Sequence, residues 1–394
     1  MRLKKIIEKI KPTFSKGGKL GMFRSTFEAF ETFLFVPNTV AKPKGSHIHD
    51  SIELKRTMSV VIIALMPALL FGMWNTGYQH FLSIGEEASF IDTFFYGFLK
   101  VLPLLIVSYG VGLTIEFASA QIRGHEVNEG YLVTGMLIPL IMPADVPLWI
   151  LTLAVIFAVV IGKEIFGGTG MNIWNPALLA RAFVFFAYPS KISGDKIWVA
   201  GLENAQNVVD GFSGATPLSY AAANQPDPFH STLDMVVGNI PGCIGETSTI
   251  AILLGAALLI FTGIASWKIM VSTVAGGLAV GFLANLIGGS LYMELPAWQH
   301  LIMGGFAFGT VFMATDPVTS TQTEAGKWIY GFLIGALAIV IRLFNPGYPE
   351  GMMLAILLMN TFAPSIDHCV VEANIRKRMK RKNSPKIDLI EIKN

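Results

Sequence analysis

Residues 269–289 read IMVSTVAGGLAVGFLANLIGG, a stretch without one charged side chain. A bilayer core about 30 Å thick is crossed by roughly 20 apolar residues in a helix, so this stretch is long enough to span it. The same holds for 57–75, 94–118, 147–166, 248–266, 297–314, 327–343 and 350–368. Two further stretches, 131–143 and 175–188, are apolar but short, and Gly or Pro borders each. Composition agrees. Of the 394 residues, 53% are apolar and only 14% are Asp, Glu, Lys or Arg, and the mean hydropathy is +0.56. Soluble domains carry about 25% charged residues, so this chain lacks the polar material for a water-covered surface. Disorder, a collagen-like rod and a disulfide-stapled secreted domain are excluded. Cys243 and Cys369 alone cannot build an iron–sulfur cluster or a four-thiolate zinc site, and no resident metal is expected. The reading is an all-α polytopic membrane protein with about ten transmembrane helices.

The net charge of +2 hides an asymmetry. Residues 1–56 hold 12 of the 29 Lys and Arg and residues 370–394 hold 8, leaving 9 for the 313 residues between, against 19 Asp and Glu. The densest basic run, Arg376 to Lys382, directly follows an apolar segment and reads as a cytoplasmic anchor rather than a nucleic-acid site. Mostly polar residues precede the first apolar stretch, so no signal peptide is expected. Ten spans put both ends on one side. Arg123, Lys163, Lys268 and Lys327 fall in loops or span ends on that side, while 76–93, 144–146 and 290–296 carry no Lys or Arg. The positive-inside rule makes both termini cytoplasmic. The expected layout is a basic segment 1–56, a first membrane unit 57–188, an extracytoplasmic loop 189–247, a second membrane unit 248–369 and a basic tail 370–394.

The chain also repeats itself weakly. Thr134-Gly135-Met136 through Asp145 reads like Gly304-Gly305-Phe306 through Asp316, and Ala177 to Phe183 reads like Leu354 to Phe362. Five spans per copy is an odd number, so the two copies are inverted. Paired short, Gly- or Pro-interrupted segments in an inverted repeat point to a site near the midplane. Chance similarity between apolar stretches is the competing reading.

The long loop contains Asp210-Gly211-Phe212-Ser213-Gly214-Ala215-Thr216. Taken alone, Ser-Gly-Ala-Thr is a small-residue turn that leaves a hydroxyl exposed. With Asp210 upstream it resembles the acceptor motif of flavin transferases, which join FMN to the threonine as a phosphoester. Other stretches carry the resemblance further: His125-Glu126-Val127-Asn128-Glu129-Gly130, Gly162 through Gly170, Asn175-Pro176-Ala177, Gly238 through Gly242, Phe312 through Pro317, and Asn345 through Met353. Together, from about Ser46 to Arg381, they resemble the family of the B-type membrane component of the sodium-translocating NADH:quinone oxidoreductase. The D-type component of the Rnf complex shares the fold and the flavin motif, and the long basic N-terminus with His-Glu-Val-Asn-Glu-Gly is more similar to the sodium-pump component.

The resemblance implies two inverted five-helix repeats, FMN bound covalently to Thr216 within Asp210, Ser213, Gly214 and Ala215, a noncovalent riboflavin, and quinone as substrate. It further implies a six-subunit complex in a bacterial inner membrane. Its partners would include an NADH-oxidising flavin and iron–sulfur subunit, a second FMN-carrying subunit and a flavin transferase.

Several residues await a role. Gly167-Gly168-Thr169-Gly170 follows no Rossmann strand and reads as a tight loop. Asn172 and Asn175 would share a face if helical, and an amide offers the donor and acceptor that an isoalloxazine edge needs. Helix capping ahead of Pro176 is the alternative for Asn175. Carboxylates in apolar segments cost several kcal/mol and mark ion or proton paths. Glu116, Asp316 and Asp367 qualify, and the resemblance associates acids there with sodium uptake. Asp316, before Pro317, could instead cap a turn, and Asp367 could pair with the basic tail. Arg181 and Arg342 either snorkel, offset an acid or lie near a flavin phosphate. The family commonly has a glycine pair near its quinone site where this chain reads Gly112-Leu113, and helix packing is the competing role for Gly112. The leading function is thus a flavin-carrying redox subunit coupled to sodium export. The alternatives are an Rnf D-type component and a channel or transporter without redox chemistry.

Overall fold

The computed structural model describes residues 2–14, 54–124, 130–202, 208–345, 347 and 349–383, with single positions at 18, 20, 21, 24, 27 and 31. His125 to Glu129, Pro346, Tyr348, much of 1–56 and the tail from 384 onward lie outside the described residues. The described elements are helical: α1 Arg2–Phe14, α2 Leu54–Ile84, α3 Phe90–Arg123, α4 Tyr131–Leu140, α5 Leu148–Val160, α6 Pro176–Ala187, α7 Pro217–Ala222, α8 Thr232–Val237, α9 Thr249–Phe261, α10 Trp267–Ile287, α11 Glu324–Phe344 and α12 Met352–Asn383. Six are long and apolar enough to cross a membrane: α2, α3, α5 with the turn after it, α10, α11 and α12. The shorter apolar helices α4, α6 and α9 have 10, 12 and 13 residues. At 1.5 Å per residue they extend roughly 15 to 20 Å, about half to two-thirds of a hydrocarbon core.

Two expected spans are interrupted. The stretch 297–314 is not one helix but Gln299–Ile302, a break at Met303–Gly305, then Phe306–Phe308 running into a wide turn at Gly309–Met313. Gly304 takes a positive φ of 59°, and a Cβ there would stand 2.7 Å from a Glu350 carboxylate oxygen. Stretch 248–266 ends as a helix at Phe261, and Gly263 turns the chain with φ of 73°. In contrast, α2 outruns its apolar window by nine residues, to Ile84. Its polar end is buried against the 189–247 loop, where Asn75 Nδ2 donates to the Ile240 carbonyl at 2.9 Å and Val209 N donates to the Ser83 carbonyl at 3.0 Å.

These contacts place the end of α2 at the loop end of the bundle. The start of α12 is there too, because Glu350 shares a cleft with Thr216. The start of α2 and the end of α12 therefore lie together at the opposite end, as an even number of crossings requires. Two pairings recur in both halves: α3 on α5 and α5 on α6 in the first, α10 on α11 and α11 on α12 in the second. The short third segment of each half, α4 or 299–313, lies beside that half's first two helices. Helices α2 and α9 pack across the halves and run in opposite directions, Gly72 lying against Ile244 just before α9 and Gly255 against Ala64 earlier in α2, as inverted copies require.

Close backbone approach holds the second half. A Cβ on Gly335 of α11 would lie 1.9 Å from the Thr273 carbonyl oxygen of α10. Small residues permit such contact where lipid removes any hydrophobic drive between helices. We expect Gly335→Val to force α10 and α11 apart, at a cost of about 2 kcal/mol or more, read as a lower unfolding midpoint in detergent. Gly110→Ala, on an exposed face of α3 with nothing within 4 Å, should be neutral or gain about 0.5 kcal/mol. Equal midpoints for both variants would sink this account.

Candidate functional site

At the loop end, Asp210–Thr216 folds against residues 195–202. A Cβ on Gly214 would lie 2.4 Å from the Asp195 carbonyl oxygen, and Ala215 is buried. Only small side chains fit there. Ala215 N donates to Ser213 Oγ at 3.2 Å, while Asp210 stands exposed upstream. Thr216 caps α7: its Oγ1 accepts from Ser219 N at 3.1 Å, and Ser219 Oγ donates to the Thr216 carbonyl at 2.8 Å. Thr216 lines a cleft with about 790 Å³ of space between its walls, part of it open to solvent. Trp198, Ser219, Cys243, Arg181, Glu246 and Glu350 line it too.

The base of this cleft is charged. Arg181 Nη1 donates to Glu246 Oε1 at 2.6 Å, with the two side chains 4% and 9% exposed. Arg181 thus offsets an acid and does not snorkel. Arg342 is fully buried. It donates to the Glu350 carbonyl at 3.1 Å, to the Met303 carbonyl at 2.8 Å and to the His300 carbonyl, while Glu350 Oε1 accepts from Gly305 N at 2.7 Å. Burial pushes the Glu246 carboxyl up to about 7, against the opposite pull of the Arg181 guanidinium.

Toward the other end, a cavity with about 810 Å³ of space between its walls, part of it open to solvent, is lined by Thr134, Lys163, Asn172, Asn175, Thr315 and Asp316, among others. Asn175 caps α6, its Oδ1 accepting from Ala177 N at 3.0 Å and Leu178 N at 3.4 Å. Asn172 is not on a helix with it. It lies in the preceding turn and donates to the Trp174 carbonyl at 3.0 Å. The turn, rather than a helical face, brings both amides to one cavity. Asp316 accepts from Val318 N at 3.2 Å and Thr319 Oγ1 at 2.9 Å, so it closes a turn and lines the cavity at once.

Glu116, Asp316 and Asp367 have separate partners, and of the three only Asp316 lines this cavity. Glu116 is buried on α3 in an ion pair with Lys163. Asp367 accepts from Gln322 N at 2.8 Å and from Thr323 N and Oγ1 at 2.9 and 2.5 Å. It ties α12 to the start of α11 and makes no ion pair with the basic tail among the described residues. The slot expected beside Gly112 is filled by the Tyr131 ring, which a Cβ on Gly112 would overlap. Tyr131 Oη donates to the Ser108 carbonyl at 2.9 Å. Sequence reasoning missed Glu246, Glu350 and the pairing of Lys163, which it counted as a loop charge. The available signal was the rarity of basic residues in the middle of the chain.

The chain matches the family described as NQR2, RnfD, RnfE over residues 42–376. Across 97% of its length it is similar to proteins named as the B-type component of the Na(+)-translocating NADH-quinone reductase. It is 45% identical to the one from Ectopseudomonas mendocina and 46% to that of Stutzerimonas stutzeri, each covered over its whole length. It is also 45% identical to the one from Chromohalobacter salexigens, 97% of which is covered.

The raised Glu246 carboxyl gives a pH test. An acid held above its unfolded value of about 4.3 contributes stability in its protonated form. That contribution is complete below the unfolded value and is lost as pH rises through about 7. Between about pH 5 and 8 the wild-type unfolding midpoint should therefore fall relative to that of Glu246→Gln, whose amide does not titrate. Parallel profiles would overturn the assignment.

Proposed function

The chain belongs to the NQR2, RnfD, RnfE family, and from that premise we propose that it carries flavin within a sodium-translocating NADH:quinone reductase. It is a subunit of that enzyme, as the names of its full-length relatives state. Those names favour the B-type component over the Rnf D-type reading. The finer reading is FMN as a phosphoester on Thr216, riboflavin in the inner cavity, and electron transfer to quinone coupled to sodium export across a bacterial inner membrane with both termini cytoplasmic. One observation carries it: the hydroxyl-bearing residue of the attachment motif lines a cleft, in a loop packed to present it.

The residues present suit the two groups. At the outer cleft, Thr216 Oγ1 would carry the phosphoryl group, Trp198 offers an aromatic plane, and Arg181 and Glu246 supply charge at the base. At the inner cavity, Asn172, Thr134 and Thr315 offer amide and hydroxyl partners. A bound flavin supplies one- and two-electron carriage. The chain's own residues bind, orient and neutralise. Arg181 holds positive charge where reduction adds negative charge, and burial pushes the carboxyl of its partner Glu246 up. The apolar core, with Leu65, Leu140 and Phe308 buried, excludes water. NADH oxidation falls to a partner subunit, because the described residues contain no strand on which a dinucleotide fold could be built.

Thr216→Ala should abolish the FMN adduct while the protein still inserts. Peptide mass spectrometry of protein co-expressed with a flavin transferase reads the adduct, and in-gel fluorescence reads it independently. An unmodified threonine and a dark band in the wild type would overturn the covalent-flavin assignment. For the cation path, Asp316→Asn should raise the sodium needed for half-maximal NADH:quinone turnover about tenfold, the equivalent of 1.4 kcal/mol, with flavin content unchanged. Asp367→Asn should instead weaken the α11–α12 junction by roughly 1.5–3 kcal/mol, lowering yield and leaving the sodium curve intact. The reverse pattern would exchange the two roles.

A further inference from the structure

Lys163 and Glu116 form a buried ion pair across 47 residues of sequence, with side chains 3% and 5% exposed. The ammonium lies 5.8 Å from the centroid of the Tyr131 ring. Neighbouring Glu164 has its own partners, Ser119 Oγ at 2.5 Å and Arg123 Nη1 at 3.6 Å. Lys163 also lines the inner cavity, where Glu116 does not. The lysine therefore separates the acid from the space that a cation would reach.

A buried carboxylate needs one compensating positive charge, and a second would be left uncompensated. At Glu116 the Lys163 ammonium and a sodium ion are thus alternatives. Resting on the sodium-translocating reading above, we propose that Lys163 is a tethered competitor, whose ammonium holds Glu116 until a sodium ion entering from the inner cavity replaces it. Lysine suits this part. Its charge is a compact point on a flexible four-carbon stem, whereas a guanidinium grips a carboxylate with two parallel bonds. The displaced ammonium has somewhere to go. Asp316 lines the same cavity and accepts from Val318 N and Thr319 Oγ1, with no cationic partner among the described residues. Sodium on Glu116 with Lys163 on Asp316 leaves both acids compensated. Lys163 on Glu116 without sodium leaves Asp316 charged. The exchange moves no covalent bond and couples cation entry to the charge of the cavity.

The test is a sodium titration of the purified, flavinylated complex at constant ionic strength, with potassium as the replacing ion. It is read both as the shift of the unfolding midpoint and as half-maximal turnover. Lys163→Gln should lower the half-saturating sodium concentration about tenfold, and Lys163→Arg should raise it. The double variant Glu116→Gln/Lys163→Gln should lose the gain. An unchanged or raised value in Lys163→Gln overturns the proposal. If Lys163→Gln does not fold, Lys163→Arg decides, and an unchanged or lowered value there overturns it. A wild-type complex without any sodium response, in either readout, overturns the sodium reading itself and this proposal with it. A sodium response in the wild type that ignores Lys163 overturns the proposal alone.

Discussion

Inside hydrocarbon no water satisfies a backbone N–H or carbonyl, so every polar group at membrane depth must find a partner in the protein. This chain breaks its helices inside the bundle and therefore has to meet that constraint by other means. Where α4 stops at Leu140, the segment before α9 supplies the missing donors: Gly245 N donates to the Leu140 carbonyl at 2.7 Å and Ile244 N to the Met142 carbonyl at 3.4 Å. Where 299–313 breaks, Arg342 takes the His300 and Met303 carbonyls, and Glu350 takes the Gly305 N–H. Each half is completed by groups that lie far from its break in sequence.

Those repairs bring charge to the places where the bundle opens. The outer cleft is lined by Arg181, Glu246 and Glu350, with Arg342 behind it on the Glu350 carbonyl, and the inner cavity has Lys163 and Asp316 on its wall. Neither set is scattered. Arg181 is paired with Glu246, and Lys163 with Glu116, as the cost of an uncompensated buried charge favours, so structural repair and functional electrostatics share residues. Thr216 lines the cleft at the loop end, and the asparagine pair lines a second cavity, at the other end of α6 from the loop.

The sites differ in how they are built. The outer one depends on loop packing, in which Gly214 and Ala215 let the chain lie against Asp195 and leave Thr216 on the cleft. The inner one depends on turns at helix starts, where Asn175 caps α6 and Asp316 closes the turn after Met313. Both use residues that also have a local structural task. A capping role and a cavity-lining role therefore coexist for Asn175 and Asp316.

Apolar run length alone determined that the chain is helical and membrane-embedded, because hydrocarbon thickness sets a length that ten segments meet or half meet. The attachment motif was legible because it is local: seven consecutive residues carry it. The odd number of spans per repeat already required inversion. Tertiary structure decided the rest. It determined that 297–314 is broken rather than continuous, since only the approach of Arg342 and Glu350 makes that break tolerable. It also determined that Asn172 and Asn175 meet across a turn, that Tyr131 fills the space beside Gly112, and that Glu116 is held by Lys163. Pairing between groups 42 to 65 residues apart leaves no periodicity or spacing in the chain, because a buried charge selects its partner by proximity in space.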